Sequence, residues 1–219
     1  MPNWYRPLLA ILIAALLAWS PAFALQSPLS DEAIREAYFL GQRHDGSVER
    51  LLGKYIKQLP PPKTGPHISS VSLLTPFLQL AQFSGRYVGN YSAQQASLDH
   101  RSQQETVVIS INIVLTDSYR AFIAAPPHLG SPQGYVRRPH DFWKDFQVEV
   151  FEGGEIRAPA HFRGEPNYSC SRWGNCILTG ATIRLEFPPT AFVSDSAAVQ
   201  VIPPEGPEVW VDFDLTALR

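Results

Sequence analysis

Hydrophobic and polar positions alternate with a period of two through much of the C-terminal half. FQVEV (Phe146 to Val150), EIRAPAHF (Glu155 to Phe162), ILTGATIRLEF (Ile177 to Phe187), AVQVI (Ala198 to Ile202) and EVWVDFDL (Glu208 to Leu215) read as successive strands. Glu152-Gly153-Gly154 is a tight turn between the first two. In the last strand Val209, Val211 and Phe213 share one face, and Trp210, Asp212 and Asp214 share the other. The strongest strand is TVVISINIVLTD, where Val107, Ile109, Ile111, Ile113 and Leu115 make one face wholly apolar. Val71, Leu73, Phe77 and Leu80 suggest a further strand, interrupted at Thr75-Pro76 and therefore at a sheet edge or a bulge.

The period is helical nearer the N-terminus. Ser30 can cap a helix carrying Ala33, Ile34, Ala37, Tyr38 and Gly41, with Asp31 and Glu32 at its positive end. Val48, Leu51, Leu52, Tyr55, Ile56 and Leu59 form an amphipathic stripe that predicts a second helix, stopped by Pro60-Pro61-Pro62. Together they predict a helical hairpin in search of a partner surface, for which the Trp210, Asp212 and Asp214 face is the expected seat. Ser92-Ala93-Gln94-Gln95 is a capping box opening a polar helix to about Gln103. Tyr119 to Ala125 is expected to extend or pair with the strong strand, and Pro126 to Pro139 reads as a long loop. The fold class is mainly β: an immunoglobulin-like or jelly-roll sandwich carrying an N-terminal helical hairpin. The expected divisions are a signal peptide at 1–24, the helical hairpin at 25–62 and the sandwich domain at 63–219.

Leu8 to Trp19 is an unbroken apolar run behind Arg6, ended by Ser20-Pro21 and followed by Ala22-Phe23-Ala24. That is the pattern of a signal peptide cut after Ala24, and it is too short for a span of about 20 apolar residues. It implies export, to the periplasm or the medium, with no transmembrane segment after signal removal. Only 17% of residues are charged while 20 of 219 are proline, which suits a turn-rich β protein. The formal net charge is −2, and loss of Arg6 with the leader makes it one unit more negative. That balance argues against nucleic acid as a partner, since phosphate binding needs clustered lysine and arginine.

The two cysteines, Cys170 and Cys176, are expected to pair in an exported chain. They close a short loop worth roughly 2 kcal/mol, a local fastening. Their spacing fits neither a C-x-x-C redox pair nor a complete zinc set, and no cofactor or metal is expected. No nucleophile elbow, zincin motif, phosphate loop or dinucleotide fingerprint is present. Three histidines adjoin aspartates, at His44-Asp45, Asp99-His100 and His140-Asp141, and sequence neighbours rarely converge on one site. The best of these leaves the long loop beside Arg137 and Arg138 and precedes Phe142-Trp143, a combination able to hold an anionic or sugar ligand. Asp212 and Asp214 supply too few oxygens for calcium and read as a solvated strand face. The ligand-binding candidates are Arg137, Arg138, His140, Trp143, Trp173 and Trp210.

EAYFLGQR (Glu36 to Arg43), KTGPHISSVSLLTPFLQL (Lys63 to Leu80), GNYSAQQA (Gly89 to Ala96) and WVDFDL (Trp210 to Leu215) resemble motifs of uncharacterised exported bacterial proteins. The resemblance implies a bacterial exported protein and brings no activity with it. The function expected from these features is a non-enzymatic binding or structural domain whose partner is a protein or a cell-surface polymer. The alternative is a carbohydrate-binding or glycan-hydrolysing protein, resting on Trp143, Trp173 and Trp210.

Overall fold

A computed structural model describes Leu25 and residues 27–87, 91–124 and 134–218. The signal-peptide segment 1–24 and most of the 126–139 loop lie outside the described residues. The chain is β-rich, with antiparallel pairing throughout. Five strands form one sheet: β1 (Ile56–Gln58), β2 (His67–Leu74), β3 (Val107–Val114), β9 (Cys176–Phe187) and β8 (His161–Cys170), in that spatial order. Four form a second: β11 (Val209–Asp214), β10 (Ser196–Ile202), β6 (Gln147–Glu152) and β7 (Glu155–Ile156). A separate two-stranded hairpin pairs β4 (Phe122–Ala124) with β5 (Tyr135–Arg137).

The alternation seen in the sequence explains how the sheets bury their faces. Ile109, Ile111 and Ile113 of β3 stand opposite Leu185, Ile183 and Ala181 of β9, all buried. Val150, Val199, Val201, Val211 and Phe213 of the second sheet join the same apolar cluster. Each buried aliphatic side chain contributes about 1.5–3 kcal/mol, so this shared cluster is the main source of cohesion. The outward face of the larger sheet is polar. Asn112 Nδ2 donates to Ser69 Oγ at 3.0 Å, and Asn167 Nδ2 donates to Thr182 Oγ1 at 3.2 Å, tying neighbouring strands.

Four helices accompany the sheets: α1 (Asp31–Gly41), α2 (Ser47–Tyr55), α3 (Pro76–Gly85) and α4 (Ala93–Ser102). Ser30, Thr75 and Ser92 cap α1, α3 and α4 by accepting from Ala33 N, Leu78 N and Gln95 N. The helices differ from the predicted hairpin. α1 makes its main contacts with α3 and α4, and few with α2. Gly41 permits that close approach, because a Cβ there would fall 2.2 Å from the Ala81 carbonyl oxygen. Ala33, Ile34 and Ala37 bury against Phe77, Leu80, Ala81 and Ala96 in a second, smaller apolar cluster. The helix predicted to reach Leu59 ends at Tyr55, since Ile56, Lys57 and Gln58 pair with Ser72, Val71 and Ser70 along the edge of β2. Thr75-Pro76 does not interrupt a strand at a sheet edge. It ends β2, an interior strand, and starts α3 with proline in the first turn.

Three further expectations are corrected. Residues 157–160, expected to continue one strand from Glu155 to Phe162, leave the second sheet, and 161–170 form β8 along most of β9. The segment after Tyr119 pairs with Tyr135–Arg137 and not with β3. The Trp210, Asp212 and Asp214 face is not a seat for helices. Trp210 is 50% exposed and stacks on Phe151, with ring centroids 5.3 Å apart. Among the described residues no helix is long and apolar enough to cross a membrane.

Candidate functional site

Two hairpins build the site. The first is β4–β5, in which Phe122 faces Arg137 and Ile123 faces Val136. The backbone beyond it is pinned by Arg138 N–H donating to Ala121 O at 2.7 Å. The Arg138 side chain then turns inward. Its Nε donates to Arg120 O at 2.8 Å, and its guanidinium carbon lies 3.5 Å above the Tyr119 ring. Tyr119 is 1% exposed and belongs to the main core beside Phe142, so a core aromatic fixes the position of this cation. Burial pushes the Tyr119 phenol up, and the neighbouring Arg138 charge opposes that shift.

The second hairpin joins β8 to β9. Cys170 and Cys176 are directly opposed across it and are disulfide-bonded. Its tip is closed by Ser171 N–H donating to Asn175 O at 2.8 Å and Gly174 N–H donating to Ser171 O at 3.0 Å. Trp173 stands on that tip, 91% exposed.

Between the hairpins lies a pocket of about 370 Å³. Arg137, Arg138 and His140 line it from one side, and Tyr168, Cys176 and Ile177 from the other. Phe122, Tyr168 and Ile177 are exposed apolar side chains of this lining. Among the described residues no aspartate or glutamate is part of the wall, and neither Arg137 nor Arg138 has a carboxylate within ion-pair reach. Lys144, which Asp141 holds at 3.1 Å, draws the acid next to His140 into a local ion pair. That pairing keeps the Asp141 carboxyl below the usual carboxylate range. The pocket can therefore accept negative charge through two guanidiniums while its aromatic rim offers flat apolar surface.

The structure thus gathers Arg137, Arg138 and His140 with the disulfide, and sets Trp173 at the tip of the hairpin that forms one wall. It does not bring Trp143 or Trp210 to the pocket. Trp143 lies half-buried over the Gly164 backbone and near Phe162, at 5.9 Å between ring centroids. Trp210 belongs to the second sheet. The sequence reading missed Phe122, Tyr168 and Ile177. The last two flank the cysteines at positions Tyr168 and Ile177 of the strand pattern, which was the available signal.

Glu152 and Glu105 serve structure. Glu152 accepts from Val193 N at 2.8 Å, Ser194 N at 2.5 Å and Arg157 Nη2 at 2.7 Å. Burial raises its pKa, but these donors prevail and hold it at about 2. Glu105 accepts from Ser27 Oγ, Leu29 N and His100 Nε2, anchoring the residues that lead into α1. Burial opposes these bonds there too, and the net effect lowers the Glu105 pKa. No group of three or more histidine, cysteine or acidic side chains able to hold a metal occurs among the described residues.

Fold and site together define a β-rich antiparallel protein with a cationic, aromatic-rimmed pocket. No protein-family model matches this chain, and no curated protein matches its sequence.

Proposed function

We propose that this is an exported, non-catalytic binding protein, built as a two-sheet sandwich, that engages an acidic polymer of the cell surface or its surroundings. The single observation that carries the reading is the pocket between the β4–β5 and β8–β9 hairpins, where Arg137, Arg138 and His140 face exposed aromatic side chains and no wall carboxylate. Guanidiniums fork onto carboxylate, sulfate or phosphate groups, and aromatic faces receive the apolar side of a sugar ring. Export rests on the apolar leader with its Ala22-Phe23-Ala24 cleavage pattern and on the disulfide. Glycan hydrolysis is less well supported, because it requires two carboxylates across a cleft, one kept protonated, and the described lining of this pocket has none.

A second reading, a protein partner, is favoured by the exposure of Tyr135, Val136 and Trp173 beside the pocket. An array carrying acidic and neutral glycans separates the two. Selective retention on acidic glycans, weakened by Arg137→Gln, supports the polymer. Indifference to every glycan, with a protein captured through Trp173 and lost in Trp173→Ala, replaces it with the protein partner.

A further inference from the structure

A second cleft, of about 270 Å³, lies where the outward face of the larger sheet meets α3 and α4. Leu74, Val108, Leu80 and Phe83 give it an apolar wall, and its guanidiniums are the half-buried Arg184 of β9 and the exposed Arg86 that follows α3. Arg184 stands opposite Ser110 on one side and Arg163 on the other. Three arginines of the described residues are half-buried: Arg138, Arg157 and Arg184. Arg138 is stacked on Tyr119 and bonded to a carbonyl, and Arg157 is paired with Glu152. Arg184 has neither a hydrogen bond nor an ion pair among the described residues. Its neighbour Arg163 takes Glu186, at 3.0 Å.

A guanidinium withdrawn from water without a partner is costly, and a carboxylate relieves that cost through two parallel N–H···O bonds. The cleft's own acids are committed elsewhere. Glu105 accepts from Ser27 Oγ, Leu29 N and His100 Nε2, and Asp99 accepts from Gln95 Nε2 at 2.6 Å. Asp99 and Glu105 offset the charges of Arg86 and Arg184, so the lining has no excess of positive charge for a dianion such as a phosphate monoester. The volume falls just below the range of about 300–1,000 Å³ usual for ligand pockets, so the occupant is small. From this geometry we infer that the cleft binds a small monocarboxylate with an apolar chain or ring, the carboxylate on Arg184 and the apolar part against Leu80 and Phe83. This site is separate from the pocket at the β4–β5 hairpin and goes beyond the polymer reading.

The test titrates the purified, disulfide-intact protein with octanoate and, in parallel, octan-1-ol, following backbone amide resonances. Octanoate is expected to saturate, shifting resonances of α3, α4 and the middle of β9, while octan-1-ol binds at least tenfold more weakly. Arg184→Gln is expected to weaken octanoate at least tenfold without lowering the melting temperature of the unliganded protein, since it removes an unmatched charge. Phe83→Asp, on the exposed rim, is expected to weaken octanoate as well. Absence of saturation, equal binding of acid and alcohol, or an Arg184→Gln variant that binds octanoate as well as the parent overturns the inference. Binding of acidic polymer is unaffected by Arg184→Gln, so the two sites fail independently.

Discussion

Glu152 sits at the end of β6, 1% exposed, and its two oxygens satisfy two backbone N–H groups and one guanidinium. Glu152→Ala leaves the Val193 and Ser194 N–H groups without their acceptor and Arg157 with Glu155 alone, and a loss of about 3 kcal/mol is expected in denaturant unfolding. The sign of the pH dependence follows from the depressed pKa. Its stabilisation is complete above the ordinary glutamate value of 4.5 and disappears as pH falls towards about 2. Glu152→Gln should therefore flatten the acid limb of the stability profile between those values, and an unchanged limb would show that another carboxylate controls it. Gly164 tests packing at the same scale. A Cβ there would lie 2.1 Å from the Trp143 ring, so Gly164→Ala is expected to displace the indole and cost about 1–3 kcal/mol. Altered tryptophan fluorescence in the folded variant checks it.

At the scale of elements, the strands with an apolar face were legible, because burial on one side writes a period of two into β3, β9, β10 and β11. β8 was not. Arg163, Gly164, Glu165, Pro166 and Asn167 carry no such period, since β8 is an edge strand where proline and polar side chains are tolerated. The end of α2 was misplaced for a different reason. Ile56 and Leu59 continue the helical stripe, but the open edge of β2 offers backbone hydrogen bonds, and Leu59 N–H donates to Ser69 O at 3.0 Å. Tertiary pairing there outweighs local propensity. Thr75-Pro76 was read as a break in a strand, whereas Thr75 caps α3 through Leu78 N–H, and Thr75→Ala is expected to cost about 1 kcal/mol. The disulfide acts within one hairpin. Replacing Cys170 and Cys176 together by serine should cost about 2 kcal/mol at most and raise amide exchange near residues 168–178 alone. Loss of protection along the whole of β9 would show that the crosslink supports the sheet.

For the whole molecule, sequence proximity identified part of the candidate site. Arg137, Arg138 and His140 are neighbours in the chain, so their cluster was visible before the fold. Their union with Tyr168, Cys176 and Ile177 was not, because it depends on the β8–β9 hairpin reaching the β4–β5 hairpin across a long sequence separation. Trp143 and Trp210 were attractive as aromatic side chains, yet packing claims the first against Gly164 and the other sheet carries the second. A protein with a net charge of −2 that binds a polyanion must do so through a local cationic surface, which makes the interaction sensitive to salt. The most direct measurement is calorimetric titration with polygalacturonate and neutral dextran at low and high salt, for the parent and for Arg137→Gln/His140→Gln. The expected result is saturable binding of polygalacturonate alone, weakened by salt and at least tenfold by the double substitution, with an unchanged melting temperature. Equal binding of dextran, or polygalacturonate binding that the double substitution leaves intact, would contradict the cationic pocket as the working surface.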